Sequence, residues 1–201
     1  MPDLKPTKED LLAAAEKTVP DVLAPKLQVL FCGINPGLYS AFAGHHFARP
    51  GNRFWPALFA SRFTDRLLRP DEERELLRVG CGITNLVGRA TTAADELTPE
   101  ELLAGARTLG QKVRKHGVRA LAILGISAYR LAFNSPAATI GPQTGRIEGA
   151  LVWVLPNPSG LNAHFTPKAL AKLFRAFRVY TGLKAIRQPC RVRLSACRVC
   201  R

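Results

Sequence analysis

Residues 26–37 read KLQVLFCGINPG, and the character of this run decides how the chain is organised. Its apolar, partly β-branched stretch is too short for a helix and has no polar alternation, which describes a strand buried on both faces and closed by turn residues. Three further runs share that character: CGITNLV (81–87), RALAILG (119–125) and ALVWVLP (150–156). Helical patterns lie between and around them, over 7–18, 52–62, 71–78, 98–116, 126–133 and 166–181. The sharpest helix start is TPEELLAGARTLGQKV, where Thr98 is the N-cap, Pro99 the first helical residue and Glu101 the third. Strands alternating with helices require crossover connections, so the expected architecture is a three-layer α/β/α domain around a central, largely parallel sheet. In such domains functional residues collect at the carboxyl ends of the strands.

The chain has 201 residues, 47% of them hydrophobic, with mean hydropathy +0.00, which suits one soluble domain with a real core. No apolar run approaches the roughly 18–20 residues of a membrane span. The segment MPDLKPTKEDLLAAAEK is too acidic and amphipathic for a secretory signal, so a cytoplasmic protein of the bacterial-type cytosol or nucleoid is expected. The 29 Lys and Arg against 15 Asp and Glu leave a net charge of +14, a balance that favours polyanions and makes nucleic acid the first suspect. Residues 184–201, KAIRQPCRVRLSACRVCR, hold six basic residues, no acid and no apolar periodicity, and read as a basic tail outside the core. Cys32 and Cys81 fall in strand-like runs and Cys190, Cys197 and Cys200 in that tail. The odd count argues against a disulfide framework, and CRVC lacks the second ligand pair a zinc site needs, so no metal is expected.

Two strand-end loops stand out. GINPG lacks the lysine and the glycine spacing of a phosphate-cradling loop, so a nucleotide cofactor is not indicated. What it supplies is an amide, Asn35, held at a strand end. The last strand ends similarly, in LPNPSGLN, and delivers Asn157 to the same edge. Asn-Pro is a common turn initiator, yet two such corners beside the apolar Leu161 of a Ser-Gly-Leu-Asn loop read better as a site and a wedge. Asp95 and Glu96, in the polar loop after CGITNLV, reach the same edge; they serve either as helix-start charge ahead of Thr98 or, in Asp95, as an auxiliary activator of water. His45 and His46 are adjacent and cannot both face one pocket. Trp55 and Trp153 read as core, while His164 and Phe165 flank the wedge.

GINPG, HFARPGNRFW, CGITNLVGRAT, ALAILG and LPNPSGL together resemble the mismatch-specific uracil-DNA glycosylase and thymine-DNA glycosylase family of the uracil-DNA glycosylase superfamily, over residues 27–181 or so. The resemblance implies a single glycosylase domain over 1–183, with an N-terminal helical extension over about 1–20 and the tail 184–201 lying outside the match. It makes Asn35 the residue that positions the attacking water, and places Ile34, Phe47 and Asn157 around the base, with Phe47 the ring on which the extruded base stacks. Ser40 and Ser159 match positions suited to DNA phosphates, and Gly160, Leu161 and Asn162 match the loop that enters the duplex. The implied substrate is uracil, with thymine or damaged pyrimidines as further candidates, opposite guanine in double-stranded DNA. The implied enzyme is a monofunctional, monomeric glycosylase without cofactor or metal that leaves an abasic site. Extrusion is cheapest for mismatched bases, which supplies part of the selectivity. Faster uracil glycosylases carry a carboxylate where this chain has Asn35 and a histidine where it has Asn157. An amide takes no proton, and losing acid–base help is worth roughly 10²–10⁴ in rate, so a slow enzyme is expected. A reading from another class is a non-catalytic nucleic-acid-binding module that stacks bases on aromatics and draws affinity from the basic tail; the two Asn corners distinguish it, since simple binding does not require them.

Overall fold

Side chains of a strand alternate between two faces, and here each face has its own core. The computed structural model describes residues 6–188. Five strands, β1 (Val29–Gly33), β2 (Cys81–Asn85), β3 (Ala120–Leu124), β4 (Gly141–Ile147) and β5 (Ala150–Leu155), form one sheet in the order β2-β1-β3-β5-β4. β1 pairs in parallel with β2 and β3, β3 pairs in parallel with β5, and β4 returns antiparallel along β5. Phe31, Ala122, Trp153 and Leu155 enter one core, while Leu30, Cys32, Leu121, Ile123, Val152 and Val154 enter the other.

Six α-helices accompany the sheet: α1 (Lys8–Ala13), α2 (Leu38–Ala43), α3 (Phe54–Ala60), α4 (Pro99–Lys115), α5 (Ile126–Ala132) and α6 (Pro167–Tyr180). Phe54 of α3 and Phe174 and Phe177 of α6 close on Phe31, with the Phe31 and Phe54 rings edge to face at 5.5 Å. Leu102, Leu109 and Val113 of α4 and Tyr129 of α5 cover the opposite face. The three-layer α/β/α architecture expected from the alternation of patterns is therefore the one found, and both tryptophans lie in the α3/α6 core.

The differences are local. The pattern over 71–78 folds as a 3-10 helix, Pro70–Val79, and that over 7–18 as α1 followed by a 3-10 turn, Ala14–Glu16. β4 and α2 had no sequence expectation: GPQTGRI is exposed along most of its length, and α2 occupies six residues of the loop that follows β1. Before β1 the chain is tied down, since Ala14 packs with Ala41 and Ala90 and Val22 bridges Ile83 of β2. At the other end, the first residues of the basic tail return to α3: the Ile186 N–H donates to Arg62 O at 3.1 Å and Gln188 Nε2 to Phe59 O at 2.6 Å.

Burial pushes the Cys32 and Cys81 thiols up to about 12, which makes them inert packing groups. Cys190, Cys197 and Cys200 lie outside the described residues. Among the described residues no helix is long and apolar enough to cross a membrane, and no three His, Cys, Asp or Glu are gathered as metal ligands.

Candidate active site

β1 and β2 lie side by side, and the loops beyond their carboxyl ends stay joined. The Thr91 N–H donates to Pro36 O at 3.1 Å, and the Leu38 N–H donates to Thr91 O at 3.2 Å. That junction fixes Asn35. Its Nδ2 donates to Arg89 O at 3.0 Å and to Thr91 Oγ1 at 2.6 Å. Thr91 Oγ1 spends its own proton on Ala93 O at 2.7 Å, so toward the amide it can only accept. The reverse amide orientation would set oxygen against the Arg89 carbonyl, so the hydrogen-bond network assigns the orientation. Asn35 Oδ1 accepts from no group among the described residues, and Asn35 lines a cavity of about 260 Å³. Arg89 is itself held by a bidentate pair with Glu101 at 2.7 and 2.9 Å; this pairing, with the Thr98 N–H, lowers the Glu101 carboxyl to about 2. The capped start of α4 thus secures the loop that secures Asn35.

Ile34, Ser40, Phe47, Asn157, Ser159 and Leu161 line the same cavity. Phe47 has a left-handed backbone, φ 55°, a conformation that costs a non-glycine residue about 1–3 kcal/mol and persists only when its surroundings over-determine it. Three side chains do so: Glu73 Oε2 accepts from the His46 N–H at 2.8 Å, Trp55 Nε1 donates to His46 O at 3.2 Å, and Ser40 Oγ accepts from the Ala48 N–H at 3.1 Å. The Phe47 ring stacks on Phe54 with centroids 4.0 Å apart. Ser40 is buried and gives its oxygen to this clamp.

Asn85 and Thr91 are among the cavity residues that sequence reasoning passed over, and it left open which of the paired histidines faces inward. His46 does, while His45 turns to Glu73 at 3.1 Å. His46 Nε2 lies 3.0 Å from Pro20 O and therefore carries the proton; Nδ1 is the acceptor, 3.5 Å from Asn85 Nδ2. Burial lowers the His46 pKa below its usual 6.5, so the ring is neutral at pH 7. Asn85 sits opposite Gly33 in the parallel register, and a Cβ on Gly33 would strike Asn85 Oδ1, so any larger residue there would displace the Asn85 amide. The missed signal was present in the sequence: Asn85 is, like Asn35 and Asn157, an amide at the carboxyl end of a buried strand.

The loop after β5 is rigid by construction. Asn157 Oδ1 accepts from the Ser159 N–H at 3.0 Å, Asn162 Nδ2 donates to Asn157 O at 3.0 Å, and Ser159 Oγ accepts from the Leu161 N–H at 3.3 Å. The Arg53 guanidinium donates to three of its carbonyls, Gly160 O at 3.0 Å, Asn162 O at 3.0 Å and Phe165 O at 2.6 Å. A Cβ on Gly160 would stand 2.5 Å from Gly51 O, so only glycine allows the two loops to touch. Leu161 is left 74% exposed at the tip. Asp95 lies on the 3-10 turn Ala94–Glu96, exposed; Ala94 lines the cavity and Asp95 does not.

The molecule is thus an α/β protein whose site is assembled from strand-end loops at the carboxyl edge of a parallel sheet. The family model for the uracil DNA glycosylase superfamily matches residues 20–178, and the chain belongs to that superfamily, whose members are DNA glycosylases. A similar solved structure is the solution NMR structure of a protein from Methanosarcina acetivorans described as a candidate uracil DNA glycosylase, 20% identical, with a TM-score of 0.53 over 80% of this chain and 96% of that one. At that identity the likeness shows the fold.

Proposed function

We propose that this protein excises uracil from mismatches with guanine in double-stranded DNA, acting as a monofunctional, mismatch-specific glycosylase of the thymine-DNA glycosylase type. The observation that carries the reading is the Asn35 amide at the cavity wall, whose Nδ2 is doubly held and whose Oδ1 is left without a donor among the described residues. In the reaction, water oxygen bonds to C1′ of the deoxyribose as the bond from C1′ to N1 breaks. The base leaves with that electron pair, and the water proton passes to solvent or to the departing base. Asn35 Oδ1 accepts a hydrogen bond from the water and aims its lone pair at C1′; positioning of this kind acts on rate through orientation.

The extruded base stacks on Phe47 between Ile34 and Asn157. Asn85, oriented by the neutral His46, offers an amide to its edge. Leu161, on the braced loop of Gly160 and Asn162, fills the space the base leaves, and Ser159 contacts the strand beside it; Ser40, expected from the sequence to meet a phosphate, is buried and bonded to the Ala48 N–H, so it supports Phe47 instead. Asp95 has its best support as a charge ahead of α4, since it does not line the cavity.

Single-turnover excision on G·U, A·U, G·T and single-stranded uracil substrates tests the reading. Release is expected from G·U first, and Asn35→Ala is expected to lower it at least about 10²-fold with duplex affinity nearly intact. Binding without release on every substrate would instead establish a non-catalytic nucleic-acid module, and near-native excision by folded Asn35→Ala would remove the water-positioning role.

A further inference from the structure

α3 and α6 run side by side over one face of the sheet, and between them lies a groove of about 750 Å³ lined by Arg53, Lys168, Ala171, Lys172 and Arg175. Lys168, Lys172 and Arg175 follow one another at i, i+4 and i+7, so they form one row on the groove side of α6. All three are exposed, and none joins an ion pair among the described residues. No Asp or Glu occurs in residues 45–64 or anywhere after Glu148, so both walls of the groove are built from acid-free segments. Positive charge continues beneath it. Arg178 is buried and bonded only to carbonyls, Ser61 O at 2.8 Å and Leu183 O at 2.7 Å; burial first, then repulsion by Arg175 and Arg62, lowers its pKa. Cations gathered without counterions oppose folding, and a polyanion relieves that repulsion.

We propose that this row is a phosphate track that holds the arm of duplex DNA leading away from the extruded nucleotide, beyond the loop carrying Leu161. This rests on the reading of the protein as a DNA glycosylase and extends its footprint. Two features select duplex DNA over other anionic partners. The first is continuity: Arg53 lines the groove and also braces the Leu161 loop, and Pro167, on the groove wall, begins α6 directly after that loop. The second is spacing. Seven residues of α-helix advance about 10 Å, and one strand of duplex presents a phosphate for about every 3.4 Å of axis while winding around it, so the row spans about two to three phosphates of one strand.

The test is the salt dependence of binding to undamaged duplex, measured for the full chain and for the triple variant Lys168→Gln/Lys172→Gln/Arg175→Gln, with Arg107→Gln/Arg114→Gln/Lys115→Gln on exposed α4 positions as a charge-matched control. Each phosphate that is no longer neutralised lowers the slope of log K against log salt by roughly 0.9. The slope of the α6 variant should therefore fall by up to about 2.7, while the control keeps the wild-type slope. Melting temperature should not fall, because these side chains are exposed, and the single-turnover rate at saturating protein should be unchanged. An unchanged slope in the α6 variant, an equal fall in the α4 control, or weakened affinity for double-stranded RNA alone would overturn the proposal. Because undamaged DNA is the probe, this outcome is independent of excision: a slope that depends on the α6 row, in a protein that releases no base from any substrate, would reject the glycosylase reading and leave the track standing.

Discussion

Asn35 depends on Thr91, which lines the cavity and whose hydroxyl is committed to that amide and to Ala93 O. Thr91 Oγ1 can face that amide only as an acceptor, because its proton is committed to Ala93 O. Thr91→Val keeps the shape and removes the acceptor, so Nδ2 retains only Arg89 O and the amide can swing. A neutral hydrogen bond is worth about 1 ± 0.5 kcal/mol net, so single-turnover excision should fall roughly 5-fold while KM for duplex holds, and melting temperature should change little. Asp95→Ala is the contrasting case. Its side chain is exposed and outside the cavity, and the excision rate should match wild type; a clear decrease would bring Asp95 back as an activator of water. Of these residues Asn35 was legible in the sequence, because a strand-end amide announces itself by position, whereas Asp95 lies on the turn Ala94–Glu96, beyond the end of β2 and outside the cavity. Thr91 acts through a partner 56 residues away in sequence, and no local pattern encodes such a pairing.

The Leu161 loop is an element whose parts only make sense together. Asn157, Ser159 and Asn162 satisfy its backbone from within, Arg53 satisfies it from α3's N-terminus, and the one large apolar side chain is turned outward. On the proposed reading Leu161 is a pre-organised wedge and acts on base opening, which costs a few kcal/mol and least for a mispaired base. Leu161→Ala should therefore lower the ratio of duplex to single-strand excision, with little change in melting temperature, since a buried leucine would instead cost about 2–5 kcal/mol. Arg53→Ala should lower the same ratio, and Arg53→Lys should recover only part of it, because an ammonium cannot span three carbonyls as a planar fork does. If the two alanine variants combine with strictly additive effects, the loop and its brace act independently and the brace has another role. The exposed leucine was legible from its composition; the brace was not, since Arg53 lies 107 residues from Gly160 and reads locally as one basic residue among 29.

At the scale of the whole molecule the chain is a polycation with its acids concentrated in the first three-quarters of the sequence. Truncation after residue 183 removes six positive charges together with the hydrogen bonds of Ile186 and Gln188 to the α3 region. Duplex affinity should fall and its salt dependence flatten, by roughly 0.9 in slope for each phosphate the tail neutralises, with the single-turnover rate retained at saturating protein; an unchanged slope would mean that the tail does not meet DNA. The four parallel strands were readable because burial on two faces writes an unbroken apolar run. β4 was not, and its concealment has a colloidal meaning. β4 closes the sheet on one side, where an unpaired backbone invites a neighbouring copy to add a strand. Pro142 removes a donor, the pairing with β5 shifts register between Pro142 and Arg146, and Arg146 adds charge. The features that erase the strand's signature are those that guard the edge against aggregation, and they matter most for a basic protein that DNA concentrates locally. Substituting valine for Pro142 and Arg146 would give GPQTGRI the apolar alternation of an ordinary strand, and light scattering should then show the purified protein self-associating.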